Sequence, residues 1–592
     1  MRVGTDTGGT FTDVVAADGR IAKVPSTPDD PGRAVREGIA ALGGATVLTH
    51  GTTVATNALL ERRGGTIALV TTAGFADVLE IARQDRPSLY DPWADRPAPL
   101  VARDLRLEVV ERLAADGTEL VAVDAGAVPT VPEGVDAVAV VLLHADLEPG
   151  HERQVRDVLA GRGHDVTCSH EVAPEFREYE RTITTVVNAY LRPPCRRYLA
   201  GLADVAPEVL VMTSAGGLVP VAEGAEVPAR LLLSGPAGGV AAGAAIASAT
   251  GWPDAITFDM GGTSTDVCLV LGGQPEPGAQ REVGGFPVRL PALDVHTIGA
   301  GGGSIARIDA GGALVVGPES AGAVPGPVCY GLGGTAPTVT DANLVAGRIP
   351  ADAELPGIGR LDLDAAAAAL ARAGLTAAGI LAVVDANMER ALRRVSVERG
   401  VDPRQLALVA FGGAGPLHAC ALADALGMPC VIVPPRAGVF SAVGILGAAR
   451  QHDVVRTWPT PDDLTGLAAA RAALAEEATR AVGPGAEVAT AVDCRYAGQS
   501  HEITVDDPAG FHDAHERRNG HARPGATVEV VALRARATRR APLGPTDLPA
   551  PSRRGGRGPV VLAEPDCTIW VPDGWTADPH DTGALVLTRV GP

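Results

Sequence analysis

The 592-residue chain carries 70 acidic against 50 basic residues, a net charge of −20, and is 46% hydrophobic and 20% charged. It is too long for one hydrophobic core at roughly 100 to 200 residues per domain, and its charge excludes an extended nucleic-acid footprint, which needs clustered positive charge. No apolar run reaches the roughly 18 residues of a membrane span, the opening MRVGTDTGG holds no apolar signal core, and the eight cysteines stand singly, so no membrane contact and a reducing cytoplasm are expected.

In chain order, RVGTD, FTDVVA and IAKV read as three strands separated by the turns TGGT and DG, a meander. A helical pattern from Arg33 to Leu42, a strand from Ala45 to Leu48, a helix near Val54 to Arg62 and a strand from Thr66 to Thr71 follow. Such alternation implies an α/β sheet. Pro174 to Leu191 reads as one helix after a proline and marks the end of a first unit, residues 1–173. Next come a strand at Val209 to Met212, the small-residue run LLLSGPAGGVAAGAAIAS, a helix from Val384 to Val397, and a strand, glycine loop and helix in LALVAFGGAGPLHACALADAL. Past about Arg450 the glycine motifs give way to polar segments rich in Arg and Pro, so residues 174–450 are expected as a second unit and 451–592 as a separate, smaller α/β domain.

The most informative feature is an internal echo. DTGGTFTDV starting at Asp6 and DMGGTSTDV starting at Asp259 share the pattern D-x-G-G-T-x-T-D-V, each between two short apolar strands. Each should be the bend of a β-hairpin, and two such hairpins imply two similar lobes. Gly8, Gly9, Gly261 and Gly262 let an anion approach the main chain without a Cβ in the way. Exposed amides form an anion nest, Thr7, Thr10, Thr12, Thr263 and Thr265 add hydroxyls, and Asp6, Asp13, Asp259 and Asp266 supply carboxylates. Asp6 and Asp259 are the candidate ligands of Mg²⁺, through water. Two facing loops can hold the phosphates of a nucleotide from opposite sides. Lys23 is the only lysine, so no phosphate loop ending in Gly-Lys exists and any lysine-dependent step falls to that residue.

A third glycine loop, Gly412, Gly413, Ala414 and Gly415, opens a helix and suits a sugar, base or α-phosphate. HTIGAGGGS, with Gly301 and Gly302, reads equally as a ligand loop or a bend. His50, Thr53, Asn57 and Arg62 lie at a strand end and helix start, a common substrate position that helix capping explains equally well. Thr340, Asp341 and Asn343 are similarly divided between nucleotide contact and capping, and Arg177, Glu178 and Arg181 read as salt-bridged surface charges.

Together MRVGTDTGGTFTDVV, HGTTVATNALLERRGG, LLLSGPAGGVAAG, TFDMGGTSTDV, HTIGAGGGSIA, PTVTDANL, AFGGAGPLHA and RYAGQSHE resemble the hydantoinase A/oxoprolinase family, from the first residue nearly to the last. The resemblance implies an actin/hexokinase/Hsp70-like two-lobed α/β ATPase fold with duplicated phosphate-binding hairpins and a smaller C-terminal domain. It implies ATP and Mg²⁺, with Asp6, Thr10, Asp259 and Thr263 at the reacting phosphate and Gly412 to Pro416 at adenosine. It also implies that ATP phosphorylates the carbonyl of a small cyclic amide, whose ring then opens with the help of a B-type partner subunit. Relatives carboxylate ketones, so the ATP-using subunit of a ketone carboxylase, or an actin-like nucleotide switch, are the alternatives. Where many relatives carry Arg-Lys after NALLE, this chain has Arg62 and Arg63, which keep the charge.

Overall fold

The computed structural model describes residues 1–27, 30–278, 280–355 and 358–591. β1 (Arg2–Thr7), β2 (Phe11–Ala16) and β3 (Ile21–Pro25) form the antiparallel meander that the sequence predicts. After α1 (Pro31–Ala41), β4 (Val47–Thr52) lies parallel to β1 with Gly51 opposite Asp6. α2 (Val54–Leu60) leads into an insertion with its own four-stranded parallel sheet. The insertion closes with α3 (Glu178–Ala200), which runs through Pro193 and Pro194. Pro194 has no N–H for the Tyr190 carbonyl, which accepts instead from the Gly65 N–H at 2.9 Å. β5 (Glu208–Met212) then pairs with β4 in parallel, and α4 (Ser234–Ala249) ends the first half.

The second half repeats this plan. β6 (Ala255–Met260) and β7 (Thr265–Leu271) form a hairpin, and β8 (His296–Ile298) pairs outside β7. After α5 (Val339–Val345) and α6 (Ala377–Val395), β9 (Ala407–Phe411) lies parallel to β6. α7 (Gly415–Leu426) connects β9 to β10 (Cys430–Val433), and α8 (Phe440–Leu446) ends the unit. The terminal helices swap sides: a methyl group at Gly4 of β1 would sit 2.5 Å from the Ala442 carbonyl of α8, and one at Gly243 of α4 would sit 2.6 Å from Thr257 of β6. The helices also cross in backbone contact, since a methyl at Gly444 would lie 1.9 Å from the Gly238 carbonyl. Only hydrogen fits there. Buried Phe258, Phe411 and Phe440 fill the core beside this crossing.

Two expected boundaries need correction. β5 lies past residue 174 but belongs to the first sheet, because the whole stretch from α2 to α3 is inserted between two neighbouring parallel strands. Residues after 450 form an apolar cluster around Trp458, Tyr496 and Phe511, yet among the described residues they build no large sheet apart from the two lobes. Arg450–Thr457, Val528–Arg539, Glu487–Tyr496 and Ile503–Val505 extend the first sheet, while Leu585–Arg589, Trp575–Pro579 and Gly556–Arg557 extend the second. Their half-exposed strands explain the polar composition that suggested a separate domain.

Candidate functional site

The two echoed motifs fold into hairpins of the same register. Asp6 pairs across the strands with Asp13 and Thr7 with Thr12, just as Asp259 pairs with Asp266 and Met260 with Thr265. Each tip closes through the same bond, from Gly8 N–H to the Phe11 carbonyl and from Gly261 N–H to the Ser264 carbonyl, both 3.0 Å. The tips face each other: a methyl group at Gly262 would sit 3.4 Å from Thr10 Oγ1. Thr263 is exposed at the second tip, and a side chain at Gly9 would meet nothing within 4 Å. The turn amides are therefore open to an anion.

Beneath the tips four carboxylates share one cleft. Burial, then Asp13 and Asp266, push the Asp6 carboxyl up to about 7 against the pull of Lys23. Burial, then Asp266, Asp6 and Asp13, push Asp259 up to about 8. Burial raises Asp266 to about 6, opposed by its bond from Thr297, and raises Asp13, opposed by Lys23. Among the described residues Asp6 Oδ1 and Thr7 Oγ1 are buried with no hydrogen-bond partner. Such groups are costly in a folded protein unless something satisfies them. A hard divalent cation with oxygen ligands fits this donor set.

Glycines keep the space around both inner carboxylates. Methyl groups at Gly235 and Gly51 would come within 3.0 and 3.1 Å of Asp6 Oδ1, and one at Gly412 within 2.4 Å of Asp259 Oδ1. Gly412 also has φ +81°, and Ala414 N–H donates to the Met260 carbonyl at 3.0 Å, so the third glycine loop is seated at the base of the second hairpin. Gly413 is open, and Gly415 begins α7.

Other predicted residues stand behind the loops. Thr265 Oγ1 is buried and donates to the Ala300 carbonyl at 2.6 Å, and buried Thr12 Oγ1 lies 3.3 Å from Ser26 Oγ. Their hydroxyls brace the hairpins and do not face an anion. Gly302 and Gly303 donate to the carbonyls of Gly261 and Gly262 at 3.0 and 2.7 Å, and a methyl at Gly301 would clash with Gly262 at 2.7 Å. HTIGAGGGS is thus the backing of the second hairpin. His50 is fully buried between Thr5 Oγ1 and the Tyr198 hydroxyl, each 2.7 Å away, and burial lowers it to about 3. It is a neutral buried residue and leaves the substrate list. Arg62 lies over the Phe286 ring and donates to the Ala98 carbonyl at 3.0 Å, so it pins two loops together. Thr53 Oγ1 donates to the Thr7 carbonyl at 3.1 Å, and exposed Asn57 reaches Thr53 at 3.4 Å, which keeps both beside the first hairpin. Asp341 completes a capping box with Thr338, and Thr340 donates to the Gly302 carbonyl at 2.8 Å.

Two residues escaped the sequence reading. Ser26 donates to the Gly8 carbonyl at 2.7 Å and its N–H to the Thr10 carbonyl at 3.0 Å. Ser441 on α8 donates to Asp259 Oδ2 at 3.0 Å. The signal for Ser441 was the small-residue segment FSAVG, whose close packing against α4 brings it to the cleft.

Known proteins are similar to this chain in sequence and share its fold. The sequence profile "Hydantoinase/oxoprolinase N-terminal region" matches residues 2–163, and "Hydantoinase/oxoprolinase" matches residues 181–454. The chain is 34% identical to caprolactamase subunit alpha of Pseudomonas jessenii over 99% of each chain. It is 35% identical to 5-oxoprolinase 1 of Arabidopsis thaliana over 75% of this chain and 41% of that protein. The crystal structure of the ATP-dependent caprolactamase from Pseudomonas jessenii superposes with a TM-score of 0.88 at 33% identity, covering 100% of both chains. A nucleotide-free acetone carboxylase structure shares the fold with a TM-score of 0.79 at 24% identity, covering 99% of each. The architecture is the expected actin/hexokinase-like ATPase fold, and the chain belongs to the hydantoinase/oxoprolinase family.

Proposed function

We propose that this chain is the ATP-binding subunit of an ATP-dependent cyclic-amide hydrolase, working with a B-type partner that completes ring opening. The observation that carries the reading is the facing pair of hairpins, each with a glycine tip above an Asp–Asp cross-strand pair. The caprolactamase and 5-oxoprolinase relatives point to lactam-like substrates.

When bound, Mg–ATP supplies the phosphoryl group that turns a ring carbonyl oxygen from a poor leaving group into a good one. The amides and hydroxyls at Gly8 to Thr10 and Gly261 to Thr263 orient the transferred group from two sides. Asp6 and Asp259, with Ser441 holding Asp259, place the cation through water. The loop Gly412 to Gly415 takes adenosine, and the ring binds beside the first hairpin near Thr53 and Asn57. Such positioning and charge neutralisation form the greater part of phosphoryl-transfer catalysis. Water then adds to the activated ring carbon and the C–N bond opens, the nitrogen leaving as the protonated amine and an acyl phosphate remaining. A second water adds to the same carbon, and phosphate departs with the former carbonyl oxygen to leave the free carboxylate.

A second reading, ATP use in ketone carboxylation, is favoured by 35% identity to the acetophenone carboxylase gamma subunit of Aromatoleum aromaticum, over 74% of this chain and 66% of that protein. The two separate in one assay of phosphate release from Mg–ATP, run with and without the partner, across 5-oxoproline, hydantoin, caprolactam and acetone. Stimulation by a cyclic amide supports the hydrolase reading. Stimulation by ketone and bicarbonate alone replaces it with the carboxylase.

A further inference from the structure

The hairpins match in their carboxylates but not in what faces them from the third strand. On β3, directly across from Asp13, stands the chain's only lysine. Lys23 Nζ lies 2.7 Å from Asp13 Oδ1, donates to the Gly438 carbonyl of the second half at 3.3 Å, and sits 5.2 Å from the centre of the Phe11 ring. The matching place on β8, across from Asp266, holds Thr297, whose hydroxyl donates to Asp266 Oδ1. One hairpin thus pairs a carboxylate with a full positive charge, the other with a dipole.

An ammonium repels a divalent cation and already occupies the near oxygen of Asp13. Asp6 Oδ1 has no such partner among the described residues. We propose that Lys23 is a positioning residue that withholds Asp13 from the bound cation, which Asp6 and Asp259 then hold through water, while its charge offsets the acidic cleft for the incoming phosphates. This deepens the nucleotide-binding reading and rests on it. The tether from Lys23 to Gly438 also fixes the first hairpin against the other lobe.

The proposal makes effects of opposite sign, which separates it from a merely structural role. Lys23→Met frees Asp13 and leaves one more negative charge. Mn²⁺ added alone, followed by calorimetry on the full chain, should bind about tenfold tighter, while metal-free ATP should bind about tenfold weaker. Lys23→Arg keeps the charge and should stay within about threefold of wild type for both ligands. The double variant Lys23→Met with Asp13→Asn should bring Mn²⁺ affinity back toward the wild-type value, which also controls for folding. Weaker or unchanged Mn²⁺ binding in a folded Lys23→Met chain overturns the proposal, as does a double variant that keeps the tightening. A wild-type chain that binds Mn²⁺ but not ATP overturns the nucleotide reading and this one with it.

Discussion

The first and second hairpins offer a comparison inside one molecule. Register, tip closure and the Asp–Asp pair are the same in both. Their supports are not: Ser26 and the strand bearing Lys23 stand behind the first, and the glycine run Gly299 to Gly303 with Thr297 behind the second. What both copies share is the part proposed to meet an anion and a cation. What differs is the means of holding that part still, which many side chains can provide.

If both hairpins serve one reaction, the largest losses come from their inner carboxylates. Asp6→Asn and Asp259→Asn should each lower ATP turnover about a thousandfold, read as phosphate release with the stimulating substrate. A loss confined to one of them would mean that the hairpins do not act together.

Glycine substitutions sharpen the contrast between tip and support. Gly301→Ala forces a methyl to within 2.7 Å of the Gly262 backbone and should weaken nucleotide binding about a hundredfold, whereas Gly9→Ala meets no protein atom, places a methyl only where the anion approaches, and should weaken it about tenfold. Equal effects at the two positions in equilibrium dialysis would contradict the supporting role of Gly301.

The carboxylate cluster also predicts a pH response. Asp6, Asp259 and Asp266 titrate near 7, 8 and 6 in the folded chain against about 3.9 unfolded. The folded state therefore binds more protons between about pH 4 and 8, and stability falls as pH rises through that window. Melting followed by fluorescence should show the ligand-free chain losing stability from pH 5 to 8, with Mg–ATP removing most of the slope. A flat profile would place these groups in a wetter setting.

The smallest effect belongs to Thr297. Thr297→Val removes one hydroxyl bond to Asp266 and should cost about three- to tenfold in turnover, less than either inner carboxylate. A larger loss would make the support of the second hairpin catalytic in its own right.

Much of the site was legible because its motif occurs twice, and a turn with glycine tips and paired acids has few structural meanings. The errors came from reading adjacent residues as if they faced one way. Neighbours on a strand face opposite sides, so Thr12 cannot share the cleft with Asp13, nor Thr265 with Asp266, and His50 turns away from the side where Gly51 meets Asp6. Arg181 was read as a surface charge because it lies on a long helix with other charges, yet it is buried against Asp146. Its acid comes from a separate loop that no local pattern could assign. The lobe boundaries failed for a similar reason, since β4 and β5 are neighbours in the sheet but lie far apart in the chain.

The most direct test of the account is isotope transfer. A cyclic amide labelled with ¹⁸O in its ring carbonyl is turned over with Mg–ATP and the partner subunit, and the released phosphate is analysed by mass spectrometry. One ¹⁸O in each phosphate is the predicted result, because the carbonyl oxygen leaves with the phosphoryl group. Unlabelled phosphate, with ring opening still coupled to ATP, would contradict departure of the carbonyl oxygen with the phosphoryl group, the step on which this account rests.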